Sequence, residues 1–555
     1  MSLQYDRYIS RRDFLKLAAA TTAALTIDYP HLEALAAKVE PKEQLPVVII
    51  GGGLGGLSAA ALLARHGFPV TLVEQHEIPG GYATSFDRAA GKYTFDVSLH
   101  ATASAEGGLR PALEGAGILD KVETVELPEL CRIITPDHDL IWPQRNPEAI
   151  TEQLSDIFPD QAHGIRGFFG EMLSIIDEGM KPFDPDSWWD KLLFPFTHKN
   201  MWAIRKKTLG DVLDNYIQDA KARSILSVFW PYYGLPPSTL SGFYYCIATA
   251  AYMRFGGHYI KQRSQDLSYA LMEAIEAGGG SVLLEAEATA IRSKDGAVTG
   301  VDLADGRHIK AKAVVSNASV PATMKMLAKN SESGGYSRKA QAYLDKLRAY
   351  KPSLSSFIVW LGLNKEIRGK VKGYEIFVLP SYDPEQSYRA SLVGDPLGSG
   401  MTVTIYDNAY EGYSTQGSST VSIMMLSGYE PWAHFETDYF AGRKKAYYKQ
   451  KERITKTLID RTEKLVIPGL SSMIEVVDAA TPLTNVRYTK NPEGAIYGYE
   501  QSLKNSFMTR LGNTTPFEGI YLASAWSNPG GGFQPCLLSG VNAFKALVKN
   551  WGGKV

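Results

Sequence analysis

Cysteine is scarce: Cys131, Cys246 and Cys536 lie far apart in a chain of 555 residues, without paired ligand spacing. A disulfide framework, a zinc site and a c-type haem attachment are therefore not indicated. An excess of charge is missing too, since 58 basic and 59 acidic side chains leave a formal net charge of −1. No basic footprint or acidic tail stands out, so nucleic acid is not an expected partner. After the first 40 residues no uninterrupted apolar run reaches the roughly 18–20 residues that a membrane-crossing helix needs, which points to a soluble or peripheral body. No internal repeat or low-complexity segment appears. Length is what the chain does have, enough for two or more domains at about 100–200 residues each and for the large core of an enzyme.

Residues 1–36 read as an export signal. Ser10-Arg11-Arg12-Asp13-Phe14-Leu15-Lys16 resembles the twin-arginine consensus, the apolar run from Phe14 to Ile27 is short, and Ala34-Leu35-Ala36 offers a small-residue cleavage site before Ala37. An ordinary amphipathic first helix is the alternative. The twin-arginine machinery carries proteins already folded, so such a signal implies a cofactor loaded beforehand. It also implies a location in the periplasm or at the outer face of the cytoplasmic membrane. A linker of mixed character, residues 37–45, follows.

The stretch from Leu45 to Gln75 supplies a reason for loading. Val47 to Ile50 is a short apolar run suited to a buried parallel strand, and Gly51-x-Gly53-x-x-Gly56 follows it directly, with Gly55 beside the last glycine. A helix is expected from Leu54 to about His66. Gly51 permits the tight turn, Gly53 lets backbone approach a pyrophosphate, and Gly56 lets helix pack on strand, while the helix N-terminus faces the anion. A second strand, Val70 to Val73, ends at Glu74, 18 residues beyond Gly56, where a carboxylate can accept hydrogen bonds from ribose hydroxyls. No second glycine fingerprint follows a strand. One permanently held dinucleotide is expected, which favours flavin over a nicotinamide cofactor.

Two further blocks extend this reading. Gly80-Gly81, with Thr84 and Ser85 downstream, resembles the glycine doublet of FAD enzymes of the amine oxidase and phytoene desaturase superfamily, whose backbone contacts the cofactor. Near the other end, Ile520 to Ala523 reads as a strand, Pro529-Gly530-Gly531-Gly532 as a turn, and Leu537 onward as a helix whose N-terminus would steady negative charge on a reduced flavin ring. Together the blocks resemble the phytoene desaturase, carotenoid isomerase and retinol saturase family over nearly all of the chain after the leader. The resemblance implies an α/β fold, with a Rossmann-type FAD-binding domain of the glutathione-reductase kind and a discontinuous α+β substrate domain. It implies cofactor contacts at Gly51, Gly53, Gly55, Gly56, Glu74, Gly80, Gly81 and the block at Ala525. Phe95-Asp96-Val97-Ser98-Leu99-His100 is similar to a retinol saturase segment, which places His100 near the flavin. Tyr497 is expected to line the pocket as a second catalytic candidate beside His100, and Arg487 to line it or to form a surface ion pair. Three departures stand out: Ser98 for a glycine, Gln262-Arg263 for a glycine pair, and Trp526 after Ala525 where glycine is frequent.

The FAD-binding pieces fall at 45–110, 255–330, with a closing strand at Ala313 to Asn317, and 470–550. The substrate pieces fall at 111–254 and 331–469. Nine residues from Phe229 to Phe255 are Phe, Trp or Tyr, which suits a packed core or an apolar tunnel for a long ligand. Trp188, Trp189, Phe194, Phe196 and Trp202 mix with Lys206 and Lys207, a composition that fits either a solvated helix or a peripheral membrane contact. By resemblance the substrate is long, apolar and isoprenoid-like, undergoing desaturation, saturation or isomerisation at a carbon–carbon bond, with an electron acceptor that the residues do not name. His100 is then a proton donor or acceptor, or simply a structural donor. A flavin amine oxidase and an exported flavin-containing carrier of prenyl lipids are the alternatives.

Overall fold

The computed structural model describes residues 33–34, 36–181, 187–294, 296–328, 338–506 and 509–552; the twin-arginine motif and Leu35 lie outside them. The run Val47–Ile50 forms a strand with every residue buried. It is the centre of a five-stranded parallel sheet, ordered Ile520–Leu522, Ala313–Ser316, Val47–Ile50, Val70–Val73, Ser281–Leu283. Strands from both ends of the chain thus meet in one sheet, and their unbroken apolar character follows from cover on both faces.

The helix Leu54–Arg65 leaves the first strand through the glycines and is buried along all but its last residue. Its alanines and glycines keep it thin. A Cβ added at Gly55 would lie 2.1 Å from the Ala523 carbonyl oxygen, and one at Gly56 2.1 Å from that of Gly51, so these two glycines set how closely helix and sheet pack. The helices Ser264–Ala277 and Phe533–Gly552 lie against it. The latter begins four residues before the expected Leu537. Pro535 falls in its first turn, where a missing N–H breaks no helical bond, so the proline did not delay the start.

Among the described residues a seven-stranded sheet carries half of the remaining strands, in the order Ile474–Ala480, Ser355–Leu363, Ser419–Ser427, Met401–Ile405, Glu375–Val378, Cys131–Ile134, Asp139–Trp142. Strand Ile474–Ala480, expected among the FAD-binding pieces, pairs here with Ser355–Leu363. Two neighbouring strands, Ser355–Leu363 and Ser419–Ser427, are nine residues long and buried throughout. Along one of them Phe357, Val359, Leu361 and Leu363 join the core that includes Ile454 and Leu458 of the helix Lys445–Leu465, while Ile358 and Trp360 face the opposite way and line a cavity. That division is the period of two of a strand. Helices between residues 147 and 255 close the far side of the cavity, among them Ala162–Gly179 and Gly242–Phe255.

Candidate active site

The glycine turn is held by backbone and two side chains. Gly51 adopts φ +95°, open to glycine, and its N–H donates to the Val73 carbonyl at 2.8 Å. Glu74, buried at the end of the second strand, accepts from the Gly52 N–H at 2.6 Å through Oε2 and from the His76 N–H at 3.0 Å through Oε1. The closing strand, expected to run to Asn317, ends at Ser316, and the Asn317 side chain bonds into the glycine turn instead. Its Oδ1 accepts from the Gly53 N–H at 3.1 Å, and its Nδ2 donates to the Ala523 carbonyl at 2.6 Å. One amide therefore locks the glycine turn to two neighbouring strands.

Gly51, Gly53, Glu74, Gly80, Gly81 and Ala525 line one continuous cavity of about 1970 Å³, whereas Gly55 and Gly56 stand behind it as packing residues. These groups fit the dinucleotide half of FAD: a bare glycine turn at a helix N-terminus for the pyrophosphate, and a carboxylate with lone pairs to spare for ribose hydroxyls. Gly531, Gly532 and Phe533 bring the start of the helix Phe533–Gly552 to the same wall, where its partial positive charge suits a flavin ring that gains negative charge.

The other half of the cavity is aromatic. Tyr244, Ile247, Ala248, Ala251, Tyr252 and Phe255 recur at helical spacing along one face of Gly242–Phe255, all on the wall. Burial pushes the Tyr244 and Tyr252 hydroxyls up to about 12, so both stay neutral at ordinary pH. Tyr497 lies between the halves. Its N–H donates to Ser353 Oγ at 3.0 Å, its hydroxyl donates to the Pro231 carbonyl at 3.4 Å, and burial raises its phenol well above the usual range.

His100 sits on the same wall, held by a chain of hydrogen bonds. Thr404 Oγ1 donates its single hydrogen to Glu375 Oε2 at 2.6 Å, so its 2.8 Å contact with His100 Nδ1 is one in which the histidine donates. Nε2 is then the nitrogen left without the Thr404 contact. It is buried and has no hydrogen-bond partner among the described residues. Tyr232 donates to the other oxygen of Glu375 at 2.7 Å, and Tyr374 donates to the His100 carbonyl at 2.6 Å.

The three departures resolve into separate roles. Ser98 donates to the Tyr82 carbonyl at 2.8 Å. Arg263 keeps a glycine-like backbone, φ +76°, and its side chain holds it there by donating to the carbonyls of Thr94 and Tyr413 at 3.1 and 2.7 Å and lying 4.0 Å over the Tyr413 ring. Trp526 is buried, donates to Asn491 at 3.2 Å and packs edge-on against Tyr499. Arg487 lines the cavity beside Tyr488, 5.3 Å from its ring, and a hydrogen bond with Tyr439 raises its pKa.

This arrangement matches a known family profile, flavin containing amine oxidoreductase, over residues 54–547. The chain belongs to the flavin containing amine oxidoreductase family. Its cofactor is FAD. A second profile, the twin-arginine translocation pathway signal sequence, matches residues 9–27. Within this oxidoreductase family the chain is similar to prolycopene isomerase 1 of an Oncidium hybrid cultivar, 26% identical over 93% of this chain and 86% of that one. It is similar to the all-trans-retinol 13,14-reductase of Danio rerio, 26% identical over 86% and 82%, and to the neurosporene-forming phytoene desaturase of Rhodobacter capsulatus, 25% identical over 89% and 92%. Among solved structures, an oxidoreductase from Methanosarcina mazei (TM-score 0.59, 16% identity, 90% of this chain and 99% of that one) and a putrescine oxidase variant (TM-score 0.60, 14%, 92% and 100%) share the fold.

Asn317, Thr404, Glu375 and Arg510 were not foreseen from sequence. Arg510 is buried with no carboxylate paired to it among the described residues, and burial lowers its pKa to about 10. It donates to the carbonyls of Tyr497 at 2.9 Å, Tyr499 at 3.2 Å and Ser527 at 3.2 Å, and to that of Ala525, tying together two loops of the cavity wall. Only Asn317 left a trace, as the polar residue at the end of the closing strand read at Ala313 to Asn317.

Proposed function

We propose that the protein is an FAD-dependent oxidoreductase acting on carbon–carbon bonds of a long, apolar, isoprenoid-like substrate by desaturation, saturation or isomerisation. One cavity carries this reading: among the described residues it is lined both by the dinucleotide glycines and by the aromatic face of Gly242–Phe255. Bound FAD supplies hydride transfer at a carbon held beside its ring. The chain's own part is to hold the dinucleotide on Gly51, Gly53, Gly80, Gly81 and Glu74, to exclude water with the tyrosine-rich wall, and to fix the substrate's long axis against Tyr497. His100 Nε2 is the atom that takes up or gives back the accompanying proton. The names of the three relatives, which concern prolycopene, retinol and phytoene, support the substrate class.

The twin-arginine signal supports export of the folded protein, and we assign it to the periplasm or the outer face of the cytoplasmic membrane, in peripheral contact with the bilayer. The purified protein is expected to show flavin absorption bands, and organic extraction with mass spectrometry to recover a polyene or prenylquinone. Anaerobic addition of that compound should change the flavin spectrum or return an isomer. Hydrogen peroxide release on adding amines, with no response to polyenes, would overturn the reading in favour of amine oxidation. Bound lipid without any turnover would make the protein a carrier.

A further inference from the structure

The helix Trp188–Thr197 carries its apolar face outward. Phe194 is fully buried, whereas Trp188, Trp189, Leu192, Leu193 and Phe196 are 60, 57, 41, 46 and 78% exposed. At 3.6 residues per turn these five occupy an arc of about 140°, with Phe194 on the opposite side. Trp188 and Trp189 stack on each other at 3.7 Å, so the outer surface is a preformed aromatic plate. An exposed cluster of this size on one short helix is not the scattered apolar exposure of ordinary surfaces.

The plate adjoins an exposed part of the cavity wall. Lys181 donates to the Thr197 carbonyl at 3.1 Å, and Glu178 accepts from the Asn200 and Met201 N–H groups at 3.1 and 2.9 Å, which fixes the end of the helix Ala162–Gly179 beside the end of Trp188–Thr197. Arg254 donates to Asp177 at 2.8 Å and brings in the end of Gly242–Phe255. Met180 and Phe255, both exposed, belong at once to this junction and to the cavity wall. From Ser187 to Lys207 basic side chains outnumber acidic ones, five to one, and Lys181, Lys199 and Lys206 are exposed.

We propose that this face docks in the headgroup layer of an anionic bilayer, sinking Trp188, Trp189, Leu192, Leu193 and Phe196 to the acyl boundary and setting the exposed part of the cavity wall against the lipid. Tryptophan and leucine on the lipid side with lysine at headgroup level is the chemistry of an interfacial helix. Anionic headgroups match the basic rim, whereas a second copy of this chain would bring two basic rims together. No helix among the described residues is long and apolar enough to cross a membrane, so the contact is peripheral. The purpose assigned to it, entry of an apolar substrate from the bilayer without crossing water, rests on the function proposed above; the docking does not.

Flotation of the FAD-loaded full chain with phosphatidylcholine vesicles, with or without phosphatidylglycerol, tests this directly. The wild type is expected to float with the anionic vesicles and to be released by high salt. The variant Trp188→Ser/Trp189→Ser/Phe196→Ser should keep its flavin spectrum and partition at least about tenfold less, with the leader common to both proteins. A second variant, Lys199→Glu/Lys207→Glu, should lose the preference for anionic vesicles. Equal flotation of wild type and triple variant would overturn the proposal, as would a wild type that stays at the bottom of the gradient or that self-associates through this face instead. Turnover of a detergent-dispersed polyene is read separately: flotation without turnover sinks the substrate reading alone, and turnover without flotation sinks the docking alone.

Discussion

Glu74 in the cavity wall and Arg510 buried behind it show what a single side chain does and how it announces itself. Glu74 spans the glycine turn and the following loop with both carboxylate oxygens, so Glu74→Ala should weaken FAD binding by about tenfold to a hundredfold, the loss of one or two charge-assisted hydrogen bonds. Release of free flavin on gel filtration measures this, and unchanged retention would deny Glu74 a cofactor role. Arg510 satisfies four carbonyls with one guanidinium. Arg510→Met should strand buried acceptors and cost roughly 3 kcal/mol or more, read as a lower denaturant midpoint together with flavin loss. Only the first residue was legible. Glu74 stands at a fixed distance from a glycine pattern, because both serve one ligand. Arg510 answers to carbonyls brought near it by folding, and carbonyls leave no mark on a sequence. Arg263 lies between these cases: the departure from glycine was visible, but that its side chain holds a glycine-like backbone in place was not.

Among elements, the strands Glu375–Val378 and Met401–Ile405 pair so that Glu375 lies directly opposite Thr404. Cross-strand placement is what makes a relay from carboxylate to hydroxyl to His100, and it predicts the tautomer of that ring. In the wild type Nδ1 should carry the hydrogen; in Thr404→Val it should lose that preference, which histidine-selective ¹⁵N spectra report without any substrate. If His100 moves a proton in turnover, His100→Gln should lower kcat by about a hundredfold or more, with Thr404→Val lowering it less. An unchanged ring spectrum in Thr404→Val would show that the hydroxyl does not set the tautomer. Ser355–Leu363 is buried along its whole length. The order of the strands was not legible, since a register such as Glu375 against Thr404 depends on partners distant in sequence. The outward face of Trp188–Thr197 was half visible: its composition was plain, but which side is buried is decided by Phe194 meeting the core.

At the scale of the molecule, three histidines are held neutral by burial. His66, His198 and His258 all have pKa values lowered from 6.5, chiefly by desolvation. The unfolded chain takes up these protons first as pH falls, so their stabilising contribution is complete above about pH 6.5 and is lost as pH drops through the lowered folded values. Urea unfolding at about pH 7.5 and about pH 6 should show lower stability at the acid end, and His258→Asn should flatten the difference. The same whole-chain view explains the leader. The strand Val47–Ile50 and the strand Ile520–Leu522 belong to one sheet, and the cofactor cavity is walled by Gly51 from one end of the chain and Gly532 from the other. No FAD site exists until almost the whole chain has been made and folded. Threading through a membrane as an unfolded chain would separate those walls, so a protein loaded with FAD in the cytoplasm has to leave it intact. Replacing Arg11 and Arg12 with lysine should therefore block transport while leaving folding alone: cell fractionation should find yellow, FAD-containing protein inside the cell and none outside. Efficient export of the lysine variant would show that the arginine pair does not choose the route, and colourless protein retained inside would show that loading does not precede export.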